Sequence, residues 1–385
     1  MSKIKRMERL IPFTEEHKMY RQMARDFFEK EITQARLEQW DKDGQTDRDI
    51  WEKSGDLGLL CAEFPEEYGG SGVDFIYNSI VIEELARVNA SAFFASLHGD
   101  IIAPYILHYG TEEQKKKWLP DIIKGRKILA IGMTEPGTGS DLAAITTKAE
   151  DKGDHFLLNG TKIFISNGFL ADLVIVAART GQGQGGVSLI VVERGMEGFS
   201  SGRKLKKIGL HGQDTAELIF EDVKVPKENL LGKLNQGFRY LMQSLGRERL
   251  ALAVSNQTGA EYVLDLTVQY VNERRAFGKK ISEFQNTRHK LVDMFVEQEM
   301  SRAYLDRVVM MEARGEKITV EASAVKLQCS EMLKRHVDTC LQFFGGYGYM
   351  MEYPIARAYI DARVQTIYAG TSEIMKEIIT KHVGI

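Results

Sequence analysis

"HFLLNGTKIFISNG" (residues 155–168) decides how the chain is read, because here its apolar residues fall two apart rather than three or four. The same period runs through "KILAIGMTE", "ADLVIVAART", "VSLIVVERG" and "AELIFEDVKVP", short β-rich runs divided by Gly, Asn and Asp turns. Asn159-Gly160 predicts a two-residue hairpin. No helix-length periodic segment interrupts these runs between about 126 and 232. The pattern predicts a small antiparallel β-domain, a barrel or sandwich, rather than a βαβ nucleotide fold. The spacing G-x-G-x-x-G does occur, in GQGQGG (181–186), but it leads into the strand VSLIV. The dinucleotide fingerprint needs a helix whose N-terminus faces the pyrophosphate, so this segment reads as a hairpin loop.

On both sides the period is helical. From about 14 to 125, Met19, Tyr20, Met23, Phe27 and Ile32 are spaced to line one stripe of a helix. "HYGTEEQKKKWLP" supplies a stop and a start together, with Gly110 suited to a C-terminal cap and Thr111 with Gln114 forming a capping-box pattern. After 234, four long apolar-periodic stretches (about 235–273, 286–314, 318–343 and 354–382) have lengths suited to a four-helix bundle. The expected architecture is an α+β multidomain chain: an N-terminal helical domain (1–125), a middle antiparallel β-barrel or sandwich domain (126–232) and a C-terminal four-helix bundle (233–385).

Composition narrows the function classes. The 385 residues, 43% apolar and 27% charged, are ordinary for a soluble globular protein. A net charge of −3, with basic and acidic residues interspersed, argues against a nucleic-acid partner. No apolar run reaches the length of about 18 residues that a membrane span needs. "MSKIKRMERLIPF" has no apolar segment behind its basic residues, so it does not read as a secretory signal. Cys61, Cys329 and Cys340 lack the spacing of a disulfide framework or a metal site. A cytoplasmic enzyme without a metal is the expectation.

Three segments carry a resemblance. "GMTEPGTGSDLAA" (132–144), "NERRAFGKKISEFQ" (272–285) and "QFFGGYGYMMEYPIARAYID" (342–361) resemble the recurrent segments of the acyl-CoA dehydrogenases, and their ordered spacing spans nearly the whole chain. The resemblance implies a flavoprotein that binds FAD noncovalently and removes the α and β hydrogens of an acyl-CoA. A base takes the α-proton, flavin N5 takes the β-hydride, and an electron-transferring flavoprotein collects the electrons. "EYPIARAYIDARVQTIYAGTSEIMKEI" most resembles the long-chain branch, so a long-chain or branched acyl-CoA is the expected substrate.

By the same resemblance, Met133, Thr134, Gly139 and Ser140 border the flavin, Ser140 also touching the pantetheine arm. Seen alone, this segment is a Gly/Ser loop between strands. In "FISNG", Phe164, Ile165 and Ser166 stand where the family more often has Trp and Thr, but an aromatic ring and a hydroxyl remain. Arg274, Phe277, Phe284 and Gln285 supply a guanidinium, rings and an amide able to hold a pyrophosphate and an adenine, and the resemblance implies that they hold the FAD of a neighbouring subunit. Gln342, Phe343, Phe344, Gly345 and Gly346, together with Thr371, Ser372 and Glu373, are implied to reach the cofactor as well. A homotetramer built as a dimer of dimers is therefore implied.

The base is the remaining question. In "VQTIYAGTSEIMKEII" (364–379) Ala369 occupies the position where the family often carries its glutamate. A carboxylate is still needed over the substrate, with its pKa raised by an apolar pocket. Glu248 in "LGRERLALA" shares a helical stripe with Leu241, Leu245, Leu252 and Ser255, with Arg247 and Arg249 displaced to either side. Isovaleryl-CoA and long-chain members of the family place their base at the corresponding Glu of an "ERL" segment. The alternative is a buried Glu248 paired with an arginine of the next helix. Glu373 is a rival base, although the match puts it beside FAD. Arg249, Tyr368 and Gly370 are implied to contact substrate, and the small Ala369 suits a wide acyl pocket. Two other readings share the fold: a flavin-dependent monooxygenase, and an acyl-CoA-binding homologue without a base. Glu248 favours the dehydrogenase.

Overall fold

The computed structural model describes residues 4–385. Its first block is helical: α1 (Glu15–Glu31), α2 (Gln34–Asp43), α3 (Asp49–Asp56), α4 (Phe75–Arg87), α5 (Ala103–Tyr109) and α6 (Glu112–Ile123), with a π-wound turn over Leu97–Ile102 leading into α5. Thr111 and Gln114 form the expected capping box at the start of α6: each side chain accepts a hydrogen bond from the other's backbone N–H, that from Thr111 to Gln114 Oε1 being 2.9 Å. The stripe on α1 is narrower than expected. Tyr20, Met23 and Phe27 pack against the core with Ala24, Phe28 and Ile32, but Met19 is 72% exposed. The inner face is set by His17, Ala24 and Phe28, and Met19 lies about 200° of helical turn from His17.

The middle block is one eight-stranded sheet: β1 (Leu129–Gly132), β2 (Lys148–Asp151), β3 (His155–Ser166), β4 (Leu173–Arg179), β5 (Val187–Glu193), β6 (Phe199–Lys204), β7 (Thr215–Pro226) and β8 (Leu230–Leu231). The order is β6-β7-β3-β2-β4-β5-β8, with β1 also on β4. Pairing is antiparallel except for β1 on β4 and one β2–β4 contact at Lys148 and Arg179, so the sheet is mixed. Leu173, Ile175 and Ala177 of β4 face the helical core, while Val174, Val176 and Ala178 face a second core shared with Phe156, Leu218 and Val223. β5 also touches β7, which is not its ladder neighbour, so the sheet curls over that second core. GQGQGG lies in the β4–β5 hairpin, as its sequence suggested.

Asn159-Gly160 is not a hairpin turn. It lies inside β3, at a shift of register against β7. Asn159 bonds side chain to side chain with Asp222 at 2.9 Å and accepts from the Asp222 N–H at 2.8 Å, while Gly160 (φ 146°) passes so close to Thr147 that a Cβ would sit 2.6 Å from its Oγ1. The dipeptide serves a β-bulge and a close strand approach.

The last block contains α7 (Gly237–Glu273), a small hairpin of β9 (Arg275–Ala276) and β10 (Lys279–Lys280), α8 (Gln285–Ala313), α9 (Thr319–Phe344), α10 (Pro354–Ala362) and α11 (Ser372–Val383). The stretch expected as one helix over 354–382 is two. α10 stops at Ala362 and passes into a 3-10 turn over Arg363–Thr366; the backbone then turns left-handed at Ala369 (φ 54°) and Gly370 (φ 90°), which bars a right-handed helix from continuing, and the Thr371 side chain caps α11 by accepting from Ile374 N–H. α7, α8 and α9 pack on one another, and both α10 and α11 rest on α9. Among the described residues no helix is long and apolar enough to cross a membrane, and no group of His, Cys, Asp or Glu is arranged to hold a metal ion.

Candidate active site

The three blocks meet around a cavity of about 290 Å³. The helical N-terminal block contributes Leu85, Ala90, Phe93, Phe94 and Leu97, the sheet contributes Ile131, Met133, Thr134 and Phe164 to Ser166, and the C-terminal block contributes Glu248, Leu252, Ser255, Tyr368 and Ala369. Most of this lining is apolar, so a charged group here is desolvated unless something compensates it.

The sheet side is held by a buried ion pair. Lys162 is 0% exposed on β3 and donates to Glu135 Oε1 at 2.8 Å and to the Met133 carbonyl at 3.1 Å. The Glu135 carboxylate also accepts from Thr146 N–H (2.7 Å), Thr146 Oγ1 (2.6 Å) and Thr147 N–H (2.9 Å). Burial alone would push its pKa up, but these bonds, led by Lys162, bring it down to about 2. Thr134 O accepts from Ile163 N–H at 3.0 Å, which zips the turn after β1 onto β3. A second irregularity of β3, between Lys162 and Ile165, puts Phe164 at φ 60° with its ring 65% exposed. The wall therefore offers a flat ligand an aromatic face from Phe164 and hydroxyls from Thr134 and Ser166. Gly139 and Ser140 are exposed and do not line the cavity.

The helical side carries Glu248. Among the described residues nothing makes a hydrogen bond or ion pair with it, so the arrangement in which an arginine of the next helix neutralises it is not found. Arg247 turns away to Glu63 and Glu312. Arg249, 4% exposed, bonds Ser323 Oγ at 3.3 Å and leaves its Nε without a protein partner. Burial pushes the Glu248 carboxyl up to about 7, against the pull of Arg249 and Lys326. Ala369 presents only a methyl group to this space. Tyr368 also lines it, with its hydroxyl donating to Gln365 Oε1 at 2.8 Å.

Other expected residues lie elsewhere. Phe277 is 95% exposed on the β9–β10 hairpin, Arg274 and Gln285 are exposed, and Phe284 is half-buried. The Arg274 guanidinium lies 5.7 Å from the Tyr347 ring, and Tyr270 stacks on Phe344 at 4.1 Å, so this stretch adjoins the one from Gln342 to Gly346 on the outside of the helices. Gln342, Gly345 and Gly346 are exposed there, Phe343 is half-buried and Phe344 is buried. Ser372 is buried and donates to Glu331 Oε1 at 2.7 Å. Thr371 caps α11, and Glu373 is exposed in its first turn; neither lines the cavity. The Gly370 carbonyl is taken by Lys326 at 2.8 Å. Sequence reading missed the Glu135–Lys162 pair and Lys326. Their signal was available: Lys162 interrupts the inward alternation of β3, and Lys326 is a charged residue on a face of α9 whose other buried positions are apolar, small hydroxyl or histidine.

Family models match the chain in three consecutive parts: the acyl-CoA dehydrogenase N-terminal domain over residues 14–126, the middle domain over 130–223 and the C-terminal domain over 235–384. The chain belongs to the acyl-CoA dehydrogenase family. As an acyl-CoA dehydrogenase it is similar to the mitochondrial long-chain specific acyl-CoA dehydrogenase of Sus scrofa, with 46% identity over 375 residues, 96% of this chain and 87% of that protein. The crystal structure of acyl-CoA dehydrogenase from Geobacillus kaustophilus superposes with a TM-score of 0.95 at 48% identity, covering 97% of this chain and 100% of the other. An acyl-CoA dehydrogenase from Bacillus anthracis, solved in complex with FAD, gives a TM-score of 0.91 at 33% identity over 98% of this chain and 68% of the other. All three parts of this acyl-CoA dehydrogenase contribute to the cavity wall.

Proposed function

We propose that this acyl-CoA dehydrogenase uses FAD to convert a long-chain or branched acyl-CoA to the trans-2-enoyl-CoA, with Glu248 as the base. The observation that carries the reading is Glu248 itself, a carboxyl without a protein partner in an apolar cavity, pushed up to about 7. A carboxylate taking a weakly acidic α-proton works best when its pKa lies near working pH. Burial strengthens this base, and the lack of an ion pair leaves its oxygen free for substrate.

The opposite requirement is a ring-binding wall. Phe164 and Ser166 at the end of β3 and Thr134 in the turn after β1 fit one, with an aromatic face and two hydroxyls, the turn being tied to β3 by Glu135 and Lys162. The Bacillus anthracis relative's complex with FAD supports FAD as the occupant. FAD, when bound, supplies the acceptor for the β-hydride, and an electron-transferring flavoprotein is the proposed recipient of the two electrons. Met133 and Ile165 line the same wall and would pack beside that ring, while the exposed Gly139 and Ser140, on the loop after Met133, would serve the CoA arm. Arg249 brings a buried donor to the substrate side, next to Tyr368 and Gly370. Ala369 leaves acyl space where a larger side chain would project.

Arg274, Phe277, Gln285, Gln342, Gly345 and Gly346 are exposed and adjacent to one another, with Phe284 and Phe343 half-buried and Phe344 buried beneath them. That placement supports their serving FAD in a neighbouring subunit, with Thr371 to Glu373 at the edge of the same role, in a homotetramer.

An anaerobic flavin-reduction screen tests the reading, using acyl-CoAs from short to long, straight and branched. The expected result is bleaching by wild type, fastest with a long or branched chain, and its loss in Glu248→Gln. Full bleaching by Glu248→Gln overturns the base.

A further inference from the structure

Lys326 sits on the inner face of α9 among Ala322, Val325 and Cys329, in the core that α9 shares with α7, and is 0% exposed. Among the described residues its ammonium makes one hydrogen bond, 2.8 Å to the carbonyl oxygen of Gly370. Gly370 follows Ala369 in the left-handed turn between α10 and α11, so this bond ties α9 to the segment whose methyl group forms part of the cavity wall. A buried ammonium held by a neutral carbonyl is expensive, and a methionine would fill the same volume without the charge. Burial and the neighbouring Arg249 push Lys326 down to about 8, against the pull of Glu248, Glu331 and Glu373. Glu331 is engaged by Lys334 and Ser372, and Glu373 faces solvent.

We propose that Lys326 is a positioning residue for the reaction of Glu248: it clamps the Gly370 carbonyl, fixing the Ala369 wall, and keeps a positive charge beside the catalytic carboxyl without pairing with it. The proposal rests on Glu248 being the base. Around that carboxyl stand Arg249 on α7, Lys326 from α9, Tyr105 from α5 and Tyr368 from the turn. Burial raises both tyrosines well above their ordinary range, so they stay neutral and the two cations set the field. A cation favours the carboxylate, so removing Lys326 must make Glu248 harder to ionise.

The test is the pH profile of kcat/KM for the FAD-loaded protein in Lys326→Gln, Lys326→Met, Lys326→Arg and Glu248→Gln, with FAD content measured for each. Lys326→Gln loses the charge but retains a donor for the carbonyl. Its acid limb should move up by roughly half a unit to one unit, a three- to tenfold loss on the acid side, with the plateau less affected. Lys326→Met should show the same shift and a lower plateau, because the turn is also released. Lys326→Arg should return the limb toward wild type. Acid limbs of Gln and Met that coincide with wild type, while Glu248→Gln is inactive, overturn the proposal and leave the base standing. An active Glu248→Gln overturns both. If Lys326→Met does not accumulate, the Gln and Arg pair still decides the charge effect.

Discussion

Lys162 Nζ and Glu135 Oε1 meet at 2.8 Å with both side chains almost wholly enclosed, one on β3 and the other in the turn after β1. The pair holds the wall that carries Met133, Thr134 and Phe164. Lys162→Met leaves Glu135 without its countercharge and should destabilise the fold by about 3–5 kcal/mol, read as a lower urea midpoint. Adding Glu135→Gln should recover part of that loss. The folded carboxyl titrates at about 2, below its ordinary 4.5, so its stabilisation is complete above 4.5 and disappears as pH falls toward 2. A midpoint that does not change between wild type and Lys162→Met contradicts this role.

Glu248→Gln should keep acyl-CoA binding and lose flavin reduction by at least ~10²-fold, the lower end for removing a general base. In a Glu248→Gly background, Ala369→Glu restores a carboxylate from the other side. Ala369 already adopts a left-handed backbone, so the longer side chain adds no new φ strain. Stopped-flow bleaching should show part of the rate returning, with a preference for shorter chains. Failure of this double variant alone is compatible with Glu248 as base, because an error of about 1 Å can itself cost ~10²-fold.

The pH dependence follows from the raised pKa of Glu248. The proposed base acts only as the carboxylate, so kcat/KM should climb through an acid limb near 7. Stability runs the opposite way. The folded state binds its proton more tightly than the unfolded state, so stability present at low pH is lost as pH rises from about 4.5 to about 7. Glu248→Gln should therefore raise Tm at pH 8 more than at pH 5 in thermal melts. An equal change at both pH values removes the support for a strained carboxyl.

Chain-length preference should rise from butyryl-CoA toward longer or branched substrates, since each well-buried methylene adds about 0.8 kcal/mol. Ala369→Leu should narrow the cavity and lower kcat/KM most for the longest chains. Steady-state kinetics across a series of acyl-CoAs checks both, and a steep wild-type preference for butyryl-CoA sinks the idea.

FAD binding and assembly should be linked through the patch around Arg274 and Gly345. A ligand bound only by the assembled form stabilises it by mass action. Gel filtration at low concentration should show the apo form dissociating before the FAD-loaded one, and Arg274→Ala should narrow the difference. Equal stability of the assembled form with and without FAD rules the linkage out.

Much of the fold was legible because period is a local signal. The switch from spacings of three and four to spacings of two, and back, marks the helical blocks and the sheet. Asn159-Gly160 misled because the dipeptide reports a backbone preference, while its actual use depends on Asp222, 63 residues on, and on Thr147 of the adjoining strand segment. Met19 misled because an apolar residue near a stripe need not lie on it. The break at Ala369 was hidden, since alanine ordinarily favours helix, although Gly370-Thr371 did announce α11. Within the site, Glu248 stood out as a charge on an apolar stripe. Lys162 and Lys326 carried the same kind of signal but lacked a motif to give them a role. The parallel pairing of β1 with β4 depends on how the chain returns to the sheet, which no local pattern encodes.

The left-handed turn at Ala369 also bears on how the proposed catalytic machinery can change over generations. Glu248 and Ala369 line one cavity from distant parts of the chain, so the address of the carboxylate is separable from its place in space. A lineage can acquire a second glutamate at the turn before surrendering the first. The intermediate then holds two carboxylates, one of them kept protonated by the other's charge, instead of none. The route between two placements of the carboxylate thus need not pass through a chain that has none in the cavity, and the left-handed backbone of the turn is already in place.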